Sequence, residues 1–246
     1  MAVKQKPENQ TEKIVGGRII ELDFLKGIAL IFMIFDHVVY DLGAFFSVDT
    51  SILGVFENGV GHISAVIFMT VCGISVTLGK HNLKHSFRLL CLSAALTAVT
   101  VIFDSFTNSG SSIYFGILHF LCVAMLLGHY LKRLPVWILT VMSVGSYALG
   151  RYFMTLTVNS SLLFPFGLMS DGFYSADYFP VFPNIAFVIL GIIIGKTVYK
   201  NKKSLVTFKP KRQPISFLGR HTLILYFLHQ PLVLGILYVL SFVFDI

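Results

Sequence analysis

The chain has 246 residues, of which 55% are hydrophobic and only 13% are charged, and its formal net charge is +7. A soluble domain carries about 25% charged residues, so this composition excludes an ordinary soluble protein. The 24 phenylalanines and 20 glycines are typical of transmembrane helices, in which small residues let helix backbones approach closely. We therefore expect an all-α, polytopic transmembrane helix bundle.

In chain order, a polar and basic segment precedes the apolar ones. We expect residues 1–18 to be a disordered cytoplasmic lead without a cleavable signal peptide, and residues 19–246 to form a single transmembrane domain. A spanning helix needs about 20 mostly apolar residues. About seven segments meet this requirement: 19–42, 60–79, 86–104, 113–131, 134–150, 180–199 and 217–244. In the long connector 151–179, the sequence SLLFPFGLM leaves a re-entrant segment or an eighth crossing open.

The basic residues indicate how the bundle is oriented. With seven crossings, 17 of the 19 Lys and Arg residues fall in the N-terminal tail and in the loops on its side. By the positive-inside rule the N-terminus is then cytoplasmic and the C-terminus external, and an eighth crossing would spoil this alternation. The net charge therefore needs no nucleic acid to explain it. We expect the basic segment 196–220 to contact anionic membrane lipid.

The first predicted helix carries an ionisable stripe. At about 100° per residue, one face holds Asp23, Lys26, His37 and Asp41, whereas Asp36 and Glu21 fall on roughly the opposite side. A charged side chain at mid-membrane costs about 2.5–3.5 kcal/mol, so this face must meet protein partners or a watery cavity. It is either an internal brace, with Asp23 on Lys26 and His37 on Asp41, or the wall of a site. In a site, His37 is a general base and Asp41 orients its ring and supports the imidazolium.

Four motifs carry a family resemblance. In chain order they are ELDFLKGIALIFMIFDHVVYDL, SIYFGILHF, DYFPVFPN and FLGRHTLILYFLHQP. From about residue 18 to 235 the sequence resembles the bacterial branch of the heparan-α-glucosaminide N-acetyltransferase catalytic-domain family, within a wider set of transmembrane acyltransferases. The resemblance implies an enzyme of the bacterial cytoplasmic (inner) membrane. It would move an acetyl (acyl) group from cytoplasmic acetyl-CoA (acyl-CoA) to a sugar or glycoconjugate on the other side, and a homodimer is compatible with it.

The resemblance also implies catalytic residues. The wider set shares a first-helix signature, a basic residue followed by ten residues and a histidine, and Lys26 and His37 have this spacing. In the lysosomal branch, the catalytic histidine is associated with the loop after the first helix, where this chain offers His62. His119, in FGILHF, is a further candidate, or else a satisfied buried histidine. Lys26 would counter the carbonyl oxyanion, contact CoA or pair with Asp23.

Other polar residues are candidates for binding the two substrates. Arg220 and His221 open the last span, where free amides and a guanidinium suit the phosphates of CoA. Lys84 and Arg88 are further candidates for CoA, although snorkelling to lipid headgroups is the alternative. His229, before Pro231, is assigned to the CoA-binding group, or it only accompanies a proline kink.

On the external side, Asp177 and Asn184 are candidates for binding the acceptor, and Asp177 alternatively caps the sixth span. The GIIIG sequence at 191–195 favours helix packing. His81 and His85 are four residues apart, but no further His, Cys or carboxylate lies within a helical turn of either, so we expect no metal. The alternative function is a membrane transporter or flippase that uses the polar stripe as a substrate or proton path; a non-catalytic scaffold is a third interpretation.

Overall fold

The computed structural model describes residues 19–46, 48–206 and 214–244. These residues form eight α helices: α1 Ile20–Phe46, α2 Ser51–Leu78, α3 Asn82–Thr107, α4 Ile117–Leu131, α5 Val136–Phe153, α6 Val181–Thr197, α7 Pro214–Arg220 and α8 Thr222–Phe244. A 3-10 turn at Phe164–Phe166 interrupts the connector between α5 and α6. The all-α prediction is confirmed. The predicted disordered lead, 1–18, lies outside the described residues.

The helices have the character of a membrane protein. Three of them contain a segment long and apolar enough to cross a bilayer, namely Gly59–Leu78, Asn82–Thr107 and Thr222–Val243, and Ile117–Leu131 and Val181–Thr197 are shorter apolar helices. The chain is therefore an integral membrane protein built as a helical bundle. The seven longer helices overlap the seven predicted spans, and the connector, where an eighth crossing is the alternative, holds a 3-10 turn and no α helix.

Helices α2 and α6 form the centre of the bundle through small residues. A Cβ atom on Gly73 of α2 would overlap the Val188 carbonyl, and one on Gly191 of α6 would overlap the Thr70 carbonyl. The two backbones are therefore in direct contact, as small residues permit in membranes. Helix α2 also packs against α1 and α4, and α6 packs against α5. The packing role predicted for GIIIG is confirmed.

One end of the bundle gathers the start of α1 and the C-terminal ends of α2, α4 and α6; we call it the basic end. Ile19 and Leu22 pack with Ile74 of α2 and with Tyr199, which follows α6. The Lys132 ammonium, after α4, donates to the Gly79 carbonyl at 3.3 Å. This grouping agrees with the predicted distribution of charge, because the loops predicted to be cytoplasmic lie together.

At the opposite end, two loops pair with each other. Phe179 N–H donates to the Phe115 carbonyl at 2.9 Å, and Ala176 N–H donates to the Ser112 carbonyl at 3.0 Å. Helix α4 therefore starts at Ile117, later than the predicted 113, because the residues before it belong to this loop pair. With 15 and 17 residues, α4 and α6 are about 22 and 25 Å long, shorter than a hydrocarbon core of about 30 Å.

The last predicted span, 217–244, is divided into α7 and α8 by a bend at His221. Hydrogen bonding continues through the bend, since His221 N–H reaches the carbonyls of Phe217 and Leu218. The bend follows from how α7 packs on α1. A Cβ on Gly219 would overlap the Asp23 carbonyl, and one on Gly27 would overlap the Ile215 carbonyl. Helix α8 then continues beside α1 in the same direction.

Candidate active site

His37 lies on α1 with a side chain that is 36% exposed. Its Nδ1 is 2.8 Å from the Met33 carbonyl oxygen, one turn earlier. Because a carbonyl only accepts hydrogen bonds, Nδ1 carries the hydrogen and Nε2 carries the lone pair. The main chain thus holds His37 in the tautomer whose Nε2 can take a proton from a bound group.

Asp41 is fully buried (0% exposed) one turn beyond His37. Both of its carboxylate oxygens accept from the Gln230 amide of α8 at 3.0 Å. The ring of His37 is therefore oriented by the Met33 carbonyl, and the predicted orientation by Asp41 is wrong. The reason is that α8 packs beside α1 and brings Gln230 to Asp41. The negative charge of Asp41 still interacts with His37.

Asp36 lies closer to the site than the helical projection indicates. Its Oδ2 is 3.9 Å from Nδ1 of His37, and its carboxylate lies against Gly61 of α2. It also interacts electrostatically with His62, whose side chain is exposed. Asp36 thus faces α2, whereas Asp41 of the predicted stripe faces α8, and the Asp36 carboxylate still reaches the edge of its chain neighbour His37.

His229 of α8 contacts His37 edge to face, with ring centroids 4.8 Å apart and an interplanar angle of 82°. The side chain is buried, at 7% exposure, and its Nδ1 is 2.5 Å from the Tyr226 carbonyl oxygen. Nδ1 must therefore donate, so Nε2 carries the lone pair. Within the described parts of the chain, this buried Nε2 has no hydrogen-bond partner. His229, which the sequence predicts to bind CoA, thus lies against the candidate base.

Asp177 connects the loop before α6 to two other helices. Its Oδ2 accepts from the Ile117 N–H at 3.0 Å and from the Tyr226 hydroxyl at 3.4 Å. It therefore caps α4 and not the sixth span, because the paired loops carry it to the first turn of α4. Burial raises the pKa of the Asp177 carboxyl above its ordinary value. The Asn184 amide, the second predicted acceptor contact, donates to the Pro180 carbonyl at 2.8 Å.

His119 lies in the first turn of α4, two residues after Ile117. Its Nε2 is 3.1 Å from the hydroxyl of Thr97 on α3, and that hydroxyl donates to the Ile113 carbonyl at 2.8 Å. Because the Thr97 proton is engaged there, His119 Nε2 must donate, and its Nδ1 carries the lone pair. This Nδ1 is buried without a partner among the described residues.

The candidates for CoA binding are distributed over three helices, α3, α7 and α8, and the bend at His221. Asp23 is 3.5 Å from Nε of Arg220, and the Arg220 side chain is 46% exposed. His221 Nδ1 is 3.0 Å from the Phe217 carbonyl oxygen. Lys84 and Arg88, both exposed, lie on α3, which packs against α4, whereas α7 packs against α1. Lys26 lies near enough to Cys72 of α2 for an electrostatic interaction.

The half of the bundle away from the basic end therefore combines imidazole nitrogens that carry lone pairs with buried carboxylates, an arrangement suited to accepting and stabilising a proton. Sequence reasoning missed Tyr226, Thr97 and the contact of Gln230 with Asp41. Tyr226 and Gln230 are four residues apart on α8, so they lie on one side of that helix, and His229 is beside them. Their position on α8 close to His229 was the signal available in the sequence. No group of three or more potential metal ligands occurs within the described ranges; the expected absence of a metal stays a prediction.

Comparison with known proteins identifies the family. The profile of the family described as "Heparan-alpha-glucosaminide N-acetyltransferase, catalytic" matches residues 18–231. That range includes every residue of the site described above. No curated protein and no solved structure matches the chain. The predicted family is confirmed: the chain belongs to the heparan-alpha-glucosaminide N-acetyltransferase catalytic-domain family, a family of membrane acetyltransferases.

Proposed function

We propose that this protein transfers an acetyl (acyl) group from acetyl-CoA (acyl-CoA), bound at the basic end, to a sugar or glycoconjugate that enters from the opposite end. Its proposed location is the bacterial inner membrane, with the basic end in the cytoplasm. The observation that carries the proposal is His37, which is partly exposed, lies beside the buried Asp41, and keeps Nε2 as a proton acceptor.

The reaction requires a base that takes a proton from the acceptor and later gives it to the thiolate of CoA. Nε2 of His37 removes the proton from a hydroxyl or amine of the acceptor, and the acceptor atom bonds to the thioester carbonyl carbon. The carbon–sulfur bond breaks, and the imidazolium returns the proton to the CoA thiolate. Asp41 stabilises the imidazolium by its opposite charge, because the low dielectric of the interior strengthens the interaction. Asp177 and Asn184 are proposed contacts for the acceptor, and His119 and His62 stay the further candidates for the catalytic histidine.

The phosphates of CoA would bind near Arg220. Asp23 contacts the guanidinium of Arg220 at Nε. The two terminal nitrogens of the guanidinium are then the atoms that would bind phosphate oxygens. Asp23 and His37 are fourteen residues apart on α1, about 21 Å along the axis, so the pantetheine arm must extend along the helix. It would pass Lys26 on the way. His221, Lys84 and Arg88 are proposed contacts for the outer part of CoA.

The test measures acetyl transfer by the purified full-length protein in lipid nanodiscs, with labelled acetyl-CoA and 4-nitrophenyl β-D-glucosaminide as the probe acceptor. We expect His37→Gln to lower kcat by about 100-fold or more, while acetyl-CoA still raises the melting temperature. Arg220→Ala should instead weaken that stabilisation. His85→Gln, which changes an exposed histidine of α3, is the matched control and should keep full activity.

Two outcomes would overturn the proposal. If neither acetyl-CoA nor longer acyl-CoA raises the melting temperature, the protein does not bind the donor. If labelled glucosaminide accumulates in proteoliposomes without release of the CoA thiol, the polar stripe serves a transporter instead.

A further inference from the structure

The tetrahedral intermediate of the proposed transfer needs a hydrogen-bond donor. When the acceptor atom bonds to the thioester carbon, the carbonyl oxygen becomes an oxyanion, and donors aimed at that oxygen supply a large part of the catalysis in acyl transfer. Lys26, which the family resemblance offers for this role, lies eleven residues before His37, about 16 Å along α1. The oxyanion forms at the level of His37, so its donor must come from the side chains around that residue.

Several donors around His37 are already engaged. The Nδ1 atoms of His37 and His229 donate to main-chain carbonyls, and the Gln230 amide donates to both oxygens of Asp41 at 3.0 Å. The second nitrogen of each imidazole carries a lone pair, so neither ring can donate to an oxyanion with that atom before it takes up a proton.

The Tyr226 hydroxyl is held by the longest of the hydrogen bonds around this site. It reaches Oδ2 of Asp177 at 3.4 Å, beyond the usual range of about 2.5–3.0 Å for two oxygens, and the same Oδ2 accepts from Ile117 N–H at 3.0 Å. The Tyr226 ring lies 5.4 Å from that of His229, which contacts His37. Asp177 also interacts electrostatically with His37. Because a hydroxyl hydrogen rotates to suit its acceptor, it can leave Asp177 for an oxyanion beside His37.

We propose that Tyr226 is a further catalytic residue, whose hydroxyl donates a hydrogen bond to the oxyanion of the tetrahedral intermediate. This role rests on the proposed function, because the oxyanion forms only during acyl transfer. The π electrons of the carbonyl move to oxygen as the acceptor atom bonds to carbon, and they return as the carbon–sulfur bond breaks and the CoA thiolate leaves. Tyr226 keeps its proton throughout, so the proton taken by His37 still goes to the thiolate.

The first experiment compares Tyr226→Phe with the wild type in the acetyl-transfer assay, using the full-length protein in nanodiscs. We expect kcat to fall by about 100-fold or more. The KM for the probe acceptor and the thermal stabilisation by acetyl-CoA should stay unchanged, because the hydroxyl acts on the intermediate and not on the bound substrates. Tyr238→Phe, on the exposed side of the same helix, is the matched control and should keep full activity. A wild-type kcat in Tyr226→Phe would overturn the role.

A sulfur analogue of the donor separates this role from a structural one. In acetyl-dithio-CoA, sulfur replaces the carbonyl oxygen and accepts hydrogen bonds only weakly. The ratio of kcat with acetyl-CoA to kcat with the analogue should therefore be lower in Tyr226→Phe than in the wild type, by about tenfold or more. A change in packing alone would slow transfer from both donors equally, so an unchanged ratio contradicts the role.

A second variant restores a donor at the same position. Replacement of Tyr226 with 4-aminophenylalanine, by suppression of an amber codon, puts an N–H where the O–H was, and kcat should return to within about tenfold of the wild type. If Tyr226→Phe does not fold, this variant carries the test. Its preference for the oxygen donor should be lower than that of the wild type, because an aniline N–H donates more weakly, and an unchanged preference overturns the role.

The rate of the wild type distinguishes failure of this role from failure of the proposed function. Transfer by the wild type that Tyr226→Phe leaves unaffected overturns the role of Tyr226 and leaves the proposed function standing. If the wild type transfers no acetyl group from any acyl-CoA, the proposed function fails, and the role of Tyr226 fails with it.

Discussion

Asp177 is the residue that joins three parts of the bundle in the half away from the basic end. It lies in the connector before α6, accepts from the first N–H of α4 and receives the Tyr226 hydroxyl of α8. A Cβ on Gly116 would overlap its carboxylate, so the loop backbone lies directly against it. One buried side chain therefore holds the loop and two helices next to His119 and His229.

Substitution of Asp177 separates its hydrogen bonds from its charge. Asp177→Asn keeps a carbonyl oxygen for Ile117 and Tyr226, whereas Asp177→Ala leaves both donors unpaired and should destabilise the protein by about 1–3 kcal/mol. Unfolding by SDS titration in mixed micelles measures the difference. If alanine and asparagine prove equally stable, the two hydrogen bonds do not contribute to stability.

The stabilities of the wild type and of Asp177→Asn should depend differently on pH. Burial raises the folded-state pKa of Asp177 above 3.8, its ordinary value, so the folded state binds this proton more tightly than the unfolded state. The stability of the wild type relative to Asp177→Asn should therefore fall as pH rises above 3.8 through the folded-state pKa, and level off beyond it. Unfolding midpoints of both proteins across this range check the sign; a relative stability that rises with pH contradicts it.

Helix α2 owes its central place to close backbone contacts. Gly73 and Gly191 bring α2 and α6 together, and Gly195 lies against Thr77. On the other side of α1, Gly27 and Gly219 do the same for α7. Without a hydrophobic driving force between helices in lipid, packing of this kind is what holds helices together. The short helix α7 is thereby fixed to the start of α1, which places Arg220 at Asp23.

Adding one methyl group tests these contacts. Gly191→Ala should destabilise the bundle by about 1–3 kcal/mol, since its Cβ must displace the backbone at Thr70. Gly145→Ala is the control on α5, where a Cβ meets nothing within 4 Å, and it should be neutral or stabilising by up to about 1 kcal/mol. SDS-titration unfolding compares the two; similar effects of both changes would show that the α2–α6 contact is not tight.

Across the whole molecule, charge and polar contacts divide between the two ends. The basic end holds Lys132, Lys196 and Arg220, and the first two donate to carbonyls of the loops there. His37 and His229, which are in contact, lie in the other half, and His37 is about 21 Å along α1 from the level of Asp23. A donor bound at one end and an acceptor bound at the other would meet inside the bundle, as transfer across a membrane requires.

Cysteine labelling tests the predicted orientation. Asn159→Cys in the connector and Asn201→Cys after α6 both replace exposed asparagines, each on the wild-type background. A membrane-impermeant maleimide should label residue 159 in intact spheroplasts and residue 201 only after permeabilisation. The wild type, with Cys72, Cys91 and Cys122 in apolar helices, gives the background. Labelling of residue 201 in intact spheroplasts would contradict a cytoplasmic basic end.

Much of the fold could be predicted from local properties of the chain. Apolar length gives the position of the helices, because a span requires about 20 apolar residues, and the motifs around His37 and His119 indicate the family. The start of α4 and the bend at His221 could not be predicted in this way. They depend on which loop pairs with which, and on the contact of Gly219 with α1.

The sequence by itself determined the helical membrane architecture, the family and the polar stripe of α1 with His37. Only the tertiary structure decided the partners of that stripe: Met33 and His229 on His37, Gln230 on Asp41, and Asp177 on Ile117. The physical reason is that composition and periodicity are local along the chain. Hydrogen bonds between helices depend on the rotation and depth of each helix against its neighbours, which long-range packing alone sets.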